Sequence, residues 1–286
     1  MLKNKKIIAQ LGLLFIALIW GATFLVVKDA INLDTFPPFF FAGVRFILAS
    51  LCIIFFIDLK SIKRKILEPT LCGLILFIGY GFQNYGLEDT TPAKSAFITS
   101  FSVLLVPVIL YLFKFERITV RIWVSVFVAF LGIQLISPDG FNFGDKLTFG
   151  CALSFAIHII MQDQFDKSKV INFFFIQSTV AGLLSFLGYL MFEKVDNIIF
   201  SNDAVVAILI TGILGTTFAL LVMIWAQKIL SASETAIIIA MEPVFAAIFS
   251  VYFQYEVLHA FSYLGCILVI AAIIFCELSR NTKSIN

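Results

Sequence analysis

The sequence is poor in charged residues, in histidine and in paired cysteines. Only 13% of its 286 residues are Asp, Glu, Lys or Arg, against roughly 25% in soluble globular domains, so the chain is not a soluble globular protein. It has two histidines, and its five cysteines include no CxxC pair. These residues indicate neither a disulfide framework nor a metal site, and we expect no metal and no cofactor.

Two further absences narrow the function. No Gly-x-x-x-x-Gly-Lys-Ser/Thr motif occurs in the sequence, which excludes an intrinsic ATPase. The connections between apolar stretches are too short to hold a soluble domain. A membrane enzyme would need a nucleophile with a base, or clustered metal ligands, and only the isolated His158 and Glu242 are available. We expect neither an enzyme nor a nucleic-acid-binding protein, and a channel or a non-transporting structural partner stays as an alternative.

Ten apolar stretches divide the chain. A bilayer core of about 30 Å requires roughly 20 apolar residues per helix, so they predict an all-α membrane protein with ten transmembrane helices. Eight carry essentially no charge except at their ends, whereas the second contains Arg45 and the ninth contains Glu242. The predicted spans are residues 7–27, 36–57, 69–87, 92–113, 122–136, 147–162, 172–192, 204–226, 233–253 and 260–276.

The basic residues predict the orientation of these helices. Of the 20 Lys and Arg, 15 fall on one set of connections and termini, and Arg45 lies inside a span. The other set of connections holds only Lys28, Lys94, Lys146 and Lys194. Positive residues collect on the cytoplasmic side of membrane proteins. We therefore expect both termini in the cytoplasm, as an even number of spans requires.

The two halves of the chain are similar. A shift of 140 residues aligns the third and fourth spans with the eighth and ninth, and a slightly smaller shift aligns the earlier ones. A unit of five spans is odd in number, so the second unit begins on the opposite side of the membrane and the halves are inverted, a construction common in secondary transporters. We place the first repeat at residues 1–138 and the second at 139–286. The aligned positions are Tyr85 with Trp225, Ala96 with Ala236, Ser102 with Glu242, Glu116 with Glu256, Ala17-Leu18 with Ala152-Leu153, and 39–41 with 173–175.

Short motifs at particular helix numbers carry a family resemblance. They are Trp20-Gly21, Arg45-Phe46, Thr90-Thr91-Pro92-Ala93-Lys94, Glu116-Arg117, and Glu242-Pro243-Val244-Phe245 with Glu256. Over residues 12–277 the chain resembles the EamA family of the drug/metabolite transporter (DMT) superfamily.

The resemblance implies a bundle of two inverted EamA repeats, with the fourth and ninth helices central and the fifth and tenth peripheral. It also implies a secondary carrier of amino acids, other small metabolites or drugs, often in the outward direction. The first repeat has Val103 where the second has Pro243, with Pro107 one turn later, so the resemblance does not imply matched proline bends.

Glu242 is the most informative single residue. A charge at the bilayer centre costs on the order of 3 kcal/mol, so Glu242 must face a partner or a polar cavity, or be protonated. It either binds a substrate amine or carries a coupling proton, or it is a structural carboxylate held by backbone groups freed by Pro243. Arg45 and Glu242 each lie about 13 Å into their spans at 1.5 Å per residue, so a charge pair between them is a further possibility.

Polar side chains on other spans predict a cavity. Tyr80 and Asn84 are four residues apart, as are Ser154 and His158, and such spacing places each pair on one helix face. Because lipid would leave these groups unsatisfied, the faces should turn inward, either as a substrate cavity or as contacts between helices. The candidate substrate-binding residues are Trp20, Thr23, Tyr80, Asn84, Lys94, Thr99, Ser102, His158, Trp225 and Glu242.

Three of these candidates could instead have a role that involves no substrate. Lys94 near a helix end could attract an anionic group or extend to water. Trp225 lies near a span end, where tryptophans often mark the membrane interface. His158 could titrate near neutral pH or stay a buried neutral side chain.

The sequence therefore predicts a secondary, ATP-independent transporter of small metabolites such as amino acids or drugs that exports by alternating access. The alternative is a proton- or gradient-driven uptake carrier for sugar-like or nucleotide-type metabolites. We expect a multi-pass protein of the plasma membrane, the inner membrane of a bacterium, in contact with the lipid bilayer. It would act as a monomer or homodimer on a small-molecule substrate, with proton coupling as an open possibility.

Overall fold

The computed structural model of the chain is built of helices, with no β-strand in the residues that it describes. The described residues are 2–31, 33–58, 66–113, 120–136, 140–166, 169–193, 195, 197–254 and 260–281.

The first half of the chain forms α1 to α6. Both α2 and α4 begin at a proline, which suits the first helical position because its missing N–H would have no partner there. After α2 the chain continues through a short 3₁₀-helix, Ile54–Phe56. The helices are α1 (Leu2–Ala30), α2 (Pro38–Cys52), α3 (Leu67–Asp89), α4 (Pro92–Thr99), α5 (Ser102–Leu112) and α6 (Val120–Ile136).

The second half forms α7 to α13 and a π-helix, Ile210–Phe218, between α9 and α10. Side-chain caps fix two starts: Asn142 with Asp145 at α7, and Ser231 with Glu234 at α11, each form a reciprocal capping box that satisfies free amides of the first turn. The helices are α7 (Phe143–Gln164), α8 (Val170–Phe192), α9 (Asn202–Leu209), α10 (Ala219–Ala226), α11 (Ala232–Ile239), α12 (Glu242–Tyr252) and α13 (Ala260–Asn281).

Five helical segments are long and apolar enough to cross a membrane by length and composition. Several further apolar helices are shorter. The all-helical architecture confirms the predicted fold class in this coarse form, whereas the count of ten spans and the orientation of the termini stay predictions. The five segments are Asn4–Ala30, Pro92–Leu112, Phe143–Gln164, Val170–Phe192 and Asn202–Ala226.

Two predicted spans are interrupted helices. The span predicted at 92–113 is divided between α4 and α5 at Ser100 and Phe101, and the span predicted at 233–253 is divided between α11 and α12 at Ala240 and Met241. The boundaries of the two divided helices coincide at the 140-residue shift. The sequence did not predict either interruption, although residues Pro92–Leu112 still form one segment long and apolar enough to cross a membrane.

The first helix of each half packs against the divided helix of the other half. α1 contacts α11 and α12, and α7 contacts α4 and α5. α2 and α3 both pack against α8, while α6 and α13 pack mainly against each other. The divided helices therefore lie between α1 and α7, near the middle of the bundle.

Several residues on which the sequence analysis relies lie outside the described residues. They include the predicted repeat boundary at 138 and 139, and much of the charge pattern that predicts the orientation. The individual residues are Lys60, Lys63, Arg64, Lys65, Lys114, Glu116, Arg117, Lys167, Lys194, Glu256 and Lys283.

Candidate functional site

A cavity lies where the divided helices cross. Its volume is about 60 Å³, which is room for a few water molecules, since one water needs roughly 10–15 Å³. The polar residues that line it are Trp20, Thr23, Arg45, Tyr80, Gln83, Thr99, Ser100, Ser102, His158 and Glu242.

The divided helices run in opposite directions and cross at their breaks. α4 contacts α12, and α5 contacts α11, so the N-terminal piece of each packs against the C-terminal piece of the other. Ser100 and Ser102 from one break and Ala240 and Glu242 from the other line the cavity. Interrupted helices of this kind place backbone groups and short side chains at a buried site.

The two breaks have different local causes. In the second, Pro243 has no N–H to continue the helical ladder. In the first, Ser100 donates its hydroxyl to the Phe97 carbonyl at 2.6 Å, and backbone bonds such as Val103 N to Ser100 O at 3.0 Å follow the tighter three-residue pattern. The second break contains a bond of the same three-residue pattern, from Met241 N to Ile238 O at 3.2 Å, so the two breaks share a 3₁₀ turn and differ in the Ser100 side chain of one and the Pro243 of the other.

Arg45 is almost fully buried, with 2% of its surface exposed. Its Nε donates to Thr216 Oγ1 at 2.7 Å, and its Nη2 donates to Tyr80 Oη at 3.3 Å and to the Gly215 carbonyl at 3.5 Å. The guanidinium carbon lies 4.5 Å from the centre of the Tyr80 ring, a cation–π contact that is worth about 2 kcal/mol or more when desolvated. These contacts hold a buried cation on the cavity wall.

The π-helix holds two of the side chains that line the cavity, Trp20 and Arg45. The Gly215 carbonyl accepts from the Trp20 indole Nε1 at 2.7 Å as well as from Arg45. Insertions of π-helix within α-helical segments are often found at functional sites. α1 and α2 are thus tied to the same turn of the second half.

Gly21 brings α1 close to the second break. A Cβ on Gly21 would lie 2.7 Å from Phe245 Cβ and 2.8 Å from the Glu242 carbonyl oxygen. Only glycine allows this approach. The Trp20-Gly21 motif therefore joins α1 to both the π-helix and α12.

Glu242 lines the cavity and makes no hydrogen bond or ion pair to any residue that the structure describes. Arg45 instead bonds Thr216, Tyr80 and Gly215. The proposed charge pair between Arg45 and Glu242 is thus not formed in this structure, since the guanidinium is held by other groups. The guanidinium of Arg45 and the carboxyl group of Glu242 therefore line one cavity without contacting each other.

The remaining candidates divide into two groups. Thr23, Tyr80, Thr99, Ser102 and His158 line the cavity together with Trp20. His158 is buried and its Nε2 lies 3.3 Å from Gln177 Oε1, so one of its ring nitrogens is engaged away from a substrate.

Asn84, Lys94 and Trp225 are not among the residues that line the cavity. Asn84 donates to the Pro38 carbonyl at 3.3 Å, and Trp225 packs against the hydrophobic core. Lys94 forms a 2.6 Å ion pair with Asp145. All three side chains therefore make contacts within the protein, although the sequence predicted that they bind substrate.

Sequence reasoning missed Gln83, Ser100, Gly215 and Thr216. Gln83 is next to Asn84 on α3 but lines the cavity where Asn84 does not. The signal for the π-helix was present in the Thr and Gly residues that interrupt the eighth apolar stretch at 211–217, because small and hydroxylated residues let helices approach closely in membranes.

The sequence matches a known protein family over most of its length. The model of the EamA-like transporter family matches residues 7–137 and 142–277. The chain belongs to the EamA-like transporter family. An uncharacterized transporter of Archaeoglobus fulgidus is 36% identical over 276 residues, covering 96% of this chain and 87% of that protein. The uncharacterized transporter YoaV of Bacillus subtilis is 24% identical over 278 residues, covering 92% of this chain and 94% of that protein.

A solved crystal structure has the same fold, with a TM-score of 0.71 and 17% identity over 94% of this chain and 96% of the other. The family, the relatives and the apolar helices together show a multi-pass membrane protein that is a transporter and not an enzyme. The resemblance to the EamA family that the sequence motifs indicated is confirmed.

Proposed function

We propose that the protein is a secondary transporter that exports small zwitterionic metabolites, such as amino acids or amphipathic drugs, by alternating access. The observation that carries this proposal is that Arg45 and Glu242 line one cavity and do not pair with each other. A substrate with a carboxylate and an ammonium group would complement both charges.

Arg45 is the proposed ligand of the carboxylate. A guanidinium has five N–H donors in a planar fork, and Arg45 uses Nε and Nη2 on Thr216, Tyr80 and Gly215. Its Nη1 makes no hydrogen bond to any described residue. Since Arg binds carboxylates with charge-assisted bonds, Nη1 is the donor that remains for a substrate.

Glu242 is the proposed ligand of the ammonium group, or the acid that carries a coupling proton. These two roles are compatible, because a carboxylate that binds a proton in one state and an amine in another couples the two. The aromatic faces of Trp20 and Tyr80 add surface for a cation. The hydroxyls of Thr99 and Ser102 supply further hydrogen-bonding groups.

Alternating access is supported by the two divided helices. Their boundaries match at one sequence shift, they cross in opposite directions, and each packs against the first helix of the other half. Rocking of inverted halves around such a crossing exposes a central site to alternate sides. We propose ten transmembrane helices in two inverted repeats, residues 1–138 and 139–286, with both termini in the cytoplasm.

Counterflow in vesicles tests this proposal. Purified protein is reconstituted and loaded with unlabelled amino acids, and the transient uptake of a radiolabelled amino acid is measured. We expect Arg45→Lys and Glu242→Gln to reduce counterflow at least tenfold, since a lost charge-assisted bond costs about 1.5–3 kcal/mol. Asp203→Asn, which removes an exposed carboxylate at the start of α9, should leave counterflow unchanged.

Proton coupling through Glu242 predicts a different result for the Glu242→Gln variant. If Glu242 carries the proton but does not bind the ammonium group, Glu242→Gln abolishes proton-driven accumulation and leaves exchange between equal concentrations intact, in place of the loss of counterflow expected above. Counterflow that is driven by sugar-like or nucleotide-type solutes and not by amino acids would replace the zwitterion proposal with the uptake carrier, which the hydroxyl and amide groups of Tyr80, Gln83 and Ser102 would then serve.

A further inference from the structure

An ion pair lies at the N-terminal end of each divided helix. Lys94 Nζ lies 2.6 Å from Asp145 Oδ2, and Lys6 Nζ lies 2.5 Å from Glu234 Oε1. Lys94 is the third residue of α4 and Glu234 the third residue of α11, and the two positions coincide at the 140-residue shift. The two halves therefore use the same position with opposite charge.

The two ion pairs lie at opposite ends of the divided helices. Because α4 packs against α12 and α5 packs against α11, the N-terminus of one divided helix lies beside the C-terminus of the other. Thr99 and Ile239, which line the cavity, each follow the ion-paired residue of their own helix by five positions, about 8 Å along the axis. Each pair thus stands outward of the cavity along its helix.

Both ion pairs join one half of the chain to the other. Lys94 of the first half binds Asp145 at the start of α7, and Glu234 of the second half binds Lys6 at the start of α1. Separating the halves at either end requires that the ion pair at that end be broken.

The contacts between the two halves are more extensive at the Lys94–Asp145 pair than at the Lys6–Glu234 pair. Asp145 is fully buried and also accepts from Thr90 Oγ1 at 2.6 Å and from the Asn142 amide at 3.0 Å. The side chains of Lys6 and Glu234 are 48% and 27% exposed. The Thr90–Asp145 hydrogen bond also joins the two halves, so opening the Lys94 end breaks it together with the ion pair. The other hydrogen bonds of Glu234 are to Ser231 in its own half, and an exposed ion pair is worth little.

We propose that the Lys94–Asp145 and Lys6–Glu234 pairs are the two closures of the transport pathway, and that the carrier without substrate opens more readily at the Lys6 end. This inference rests on the proposed alternating-access function. It gives the protein a resting state that receives its substrate from the side of the N-terminus.

The test measures access to the cavity from each side and needs no substrate. The full-length protein carries Val103→Cys as a reporter, since Val103 lines the cavity, and is placed in vesicles whose orientation is read from a cleavable N-terminal tag. A membrane-impermeant maleimide is added from either side. The labelling of the protein without the reporter is subtracted.

Without further changes we expect faster labelling from the Lys6 side. Lys94→Met with Asp145→Asn should raise the rate from the Lys94 side roughly tenfold, because it removes the ion pair and weakens the charge-assisted Thr90–Asp145 hydrogen bond, both of which join the two halves. Lys6→Met with Glu234→Gln should raise the rate from the Lys6 side only about two- to threefold. The exposed neighbours Lys146→Met and Lys5→Met serve as matched controls and should change neither rate.

Thr90→Ala weakens the first closure without removing a charge, and it provides the answer if the double variant fails to fold. It should raise labelling from the Lys94 side alone. Equal effects from both sides, or no effect of either pair, would overturn the proposal. Failed counterflow with this labelling pattern contradicts the proposed substrate, whereas intact counterflow with unchanged labelling contradicts the two closures.

Discussion

The break between α4 and α5 and the break between α11 and α12 share a backbone geometry but differ in chemistry. Both have the same boundaries at the 140-residue shift. The first presents Ser102 to the cavity, whereas the second presents Glu242 at the matching position. The geometry is kept by different means, a Ser100 side-chain bond in one half and Pro243 in the other.

Because the two breaks differ in this way, the basic and the acidic side chain of the site come from different halves of the chain. Arg45 belongs to α2 in the first half, and the carboxyl group of Glu242 belongs to α12 in the second. Rocking of one half against the other would therefore change the distance between them. A repeat that preserved the chemistry as well as the geometry would give a site without this polarity.

The largest effect is expected from moving the carboxylate between the breaks. Glu242→Ser should reduce counterflow between tenfold and a hundredfold, because it removes a charged ligand. Ser102→Glu combined with Glu242→Ser returns a carboxylate to the matching position and should recover part of the loss. A double variant no better than Glu242→Ser would show that the two breaks are not equivalent in position.

A smaller effect is expected from the close approach of α1 to the second break. Gly21→Ala would place a Cβ 2.8 Å from the Glu242 carbonyl oxygen and should destabilise the protein by about 1–2 kcal/mol through overpacking. The 135-residue shift that aligns Ala17 with Ala152 pairs Gly21 with Ala156, so the matching position of the second half carries a methyl group.

Thermal unfolding in detergent measures this difference, with Gly12→Ala as the control because its Cβ would meet only the Val222 side chain, at 3.1 Å. Equal losses at Gly21 and Gly12 would contradict a special contact between α1 and the second break.

The pattern of apolar residues predicted much of this structure, because the lipid bilayer determines where polar side chains and backbone groups can lie. Lipid cannot satisfy polar groups, so Tyr80, His158 and Glu242 could be assigned to an interior cavity before their neighbours were known. The all-helical architecture follows from the same constraint.

Partners that are distant in the sequence could not be predicted in this way. Asp145, the partner of Lys94, and Thr216, the partner of Arg45, lie on other helices, and helical spacing gives no information about which helices touch. The first break has no proline to mark it, and its cause is a serine bond that only the folded chain defines.

The smallest effect is expected at the caps of the two divided helices. Ser231 takes part in a reciprocal capping box with Glu234, whereas Thr91 accepts from the Lys94 amide at the longer distance of 3.4 Å. Ser231→Ala should cost about 1 kcal/mol and Thr91→Ala about 0.5 kcal/mol, in line with the usual range for caps. Thermal unfolding of both variants measures this, and a larger loss at Thr91 would contradict the ranking.

We propose that the cavity at the crossing of the divided helices binds both ends of a zwitterion. The most direct test is counterflow of one radiolabelled amino acid in vesicles loaded with that amino acid, its N-acetyl form or its methyl ester. We predict an overshoot with the unmodified amino acid and none with either blocked form, because each lacks the charge that Glu242 or Arg45 would bind. An overshoot of equal size with all three solutes, or with none, would contradict the claim.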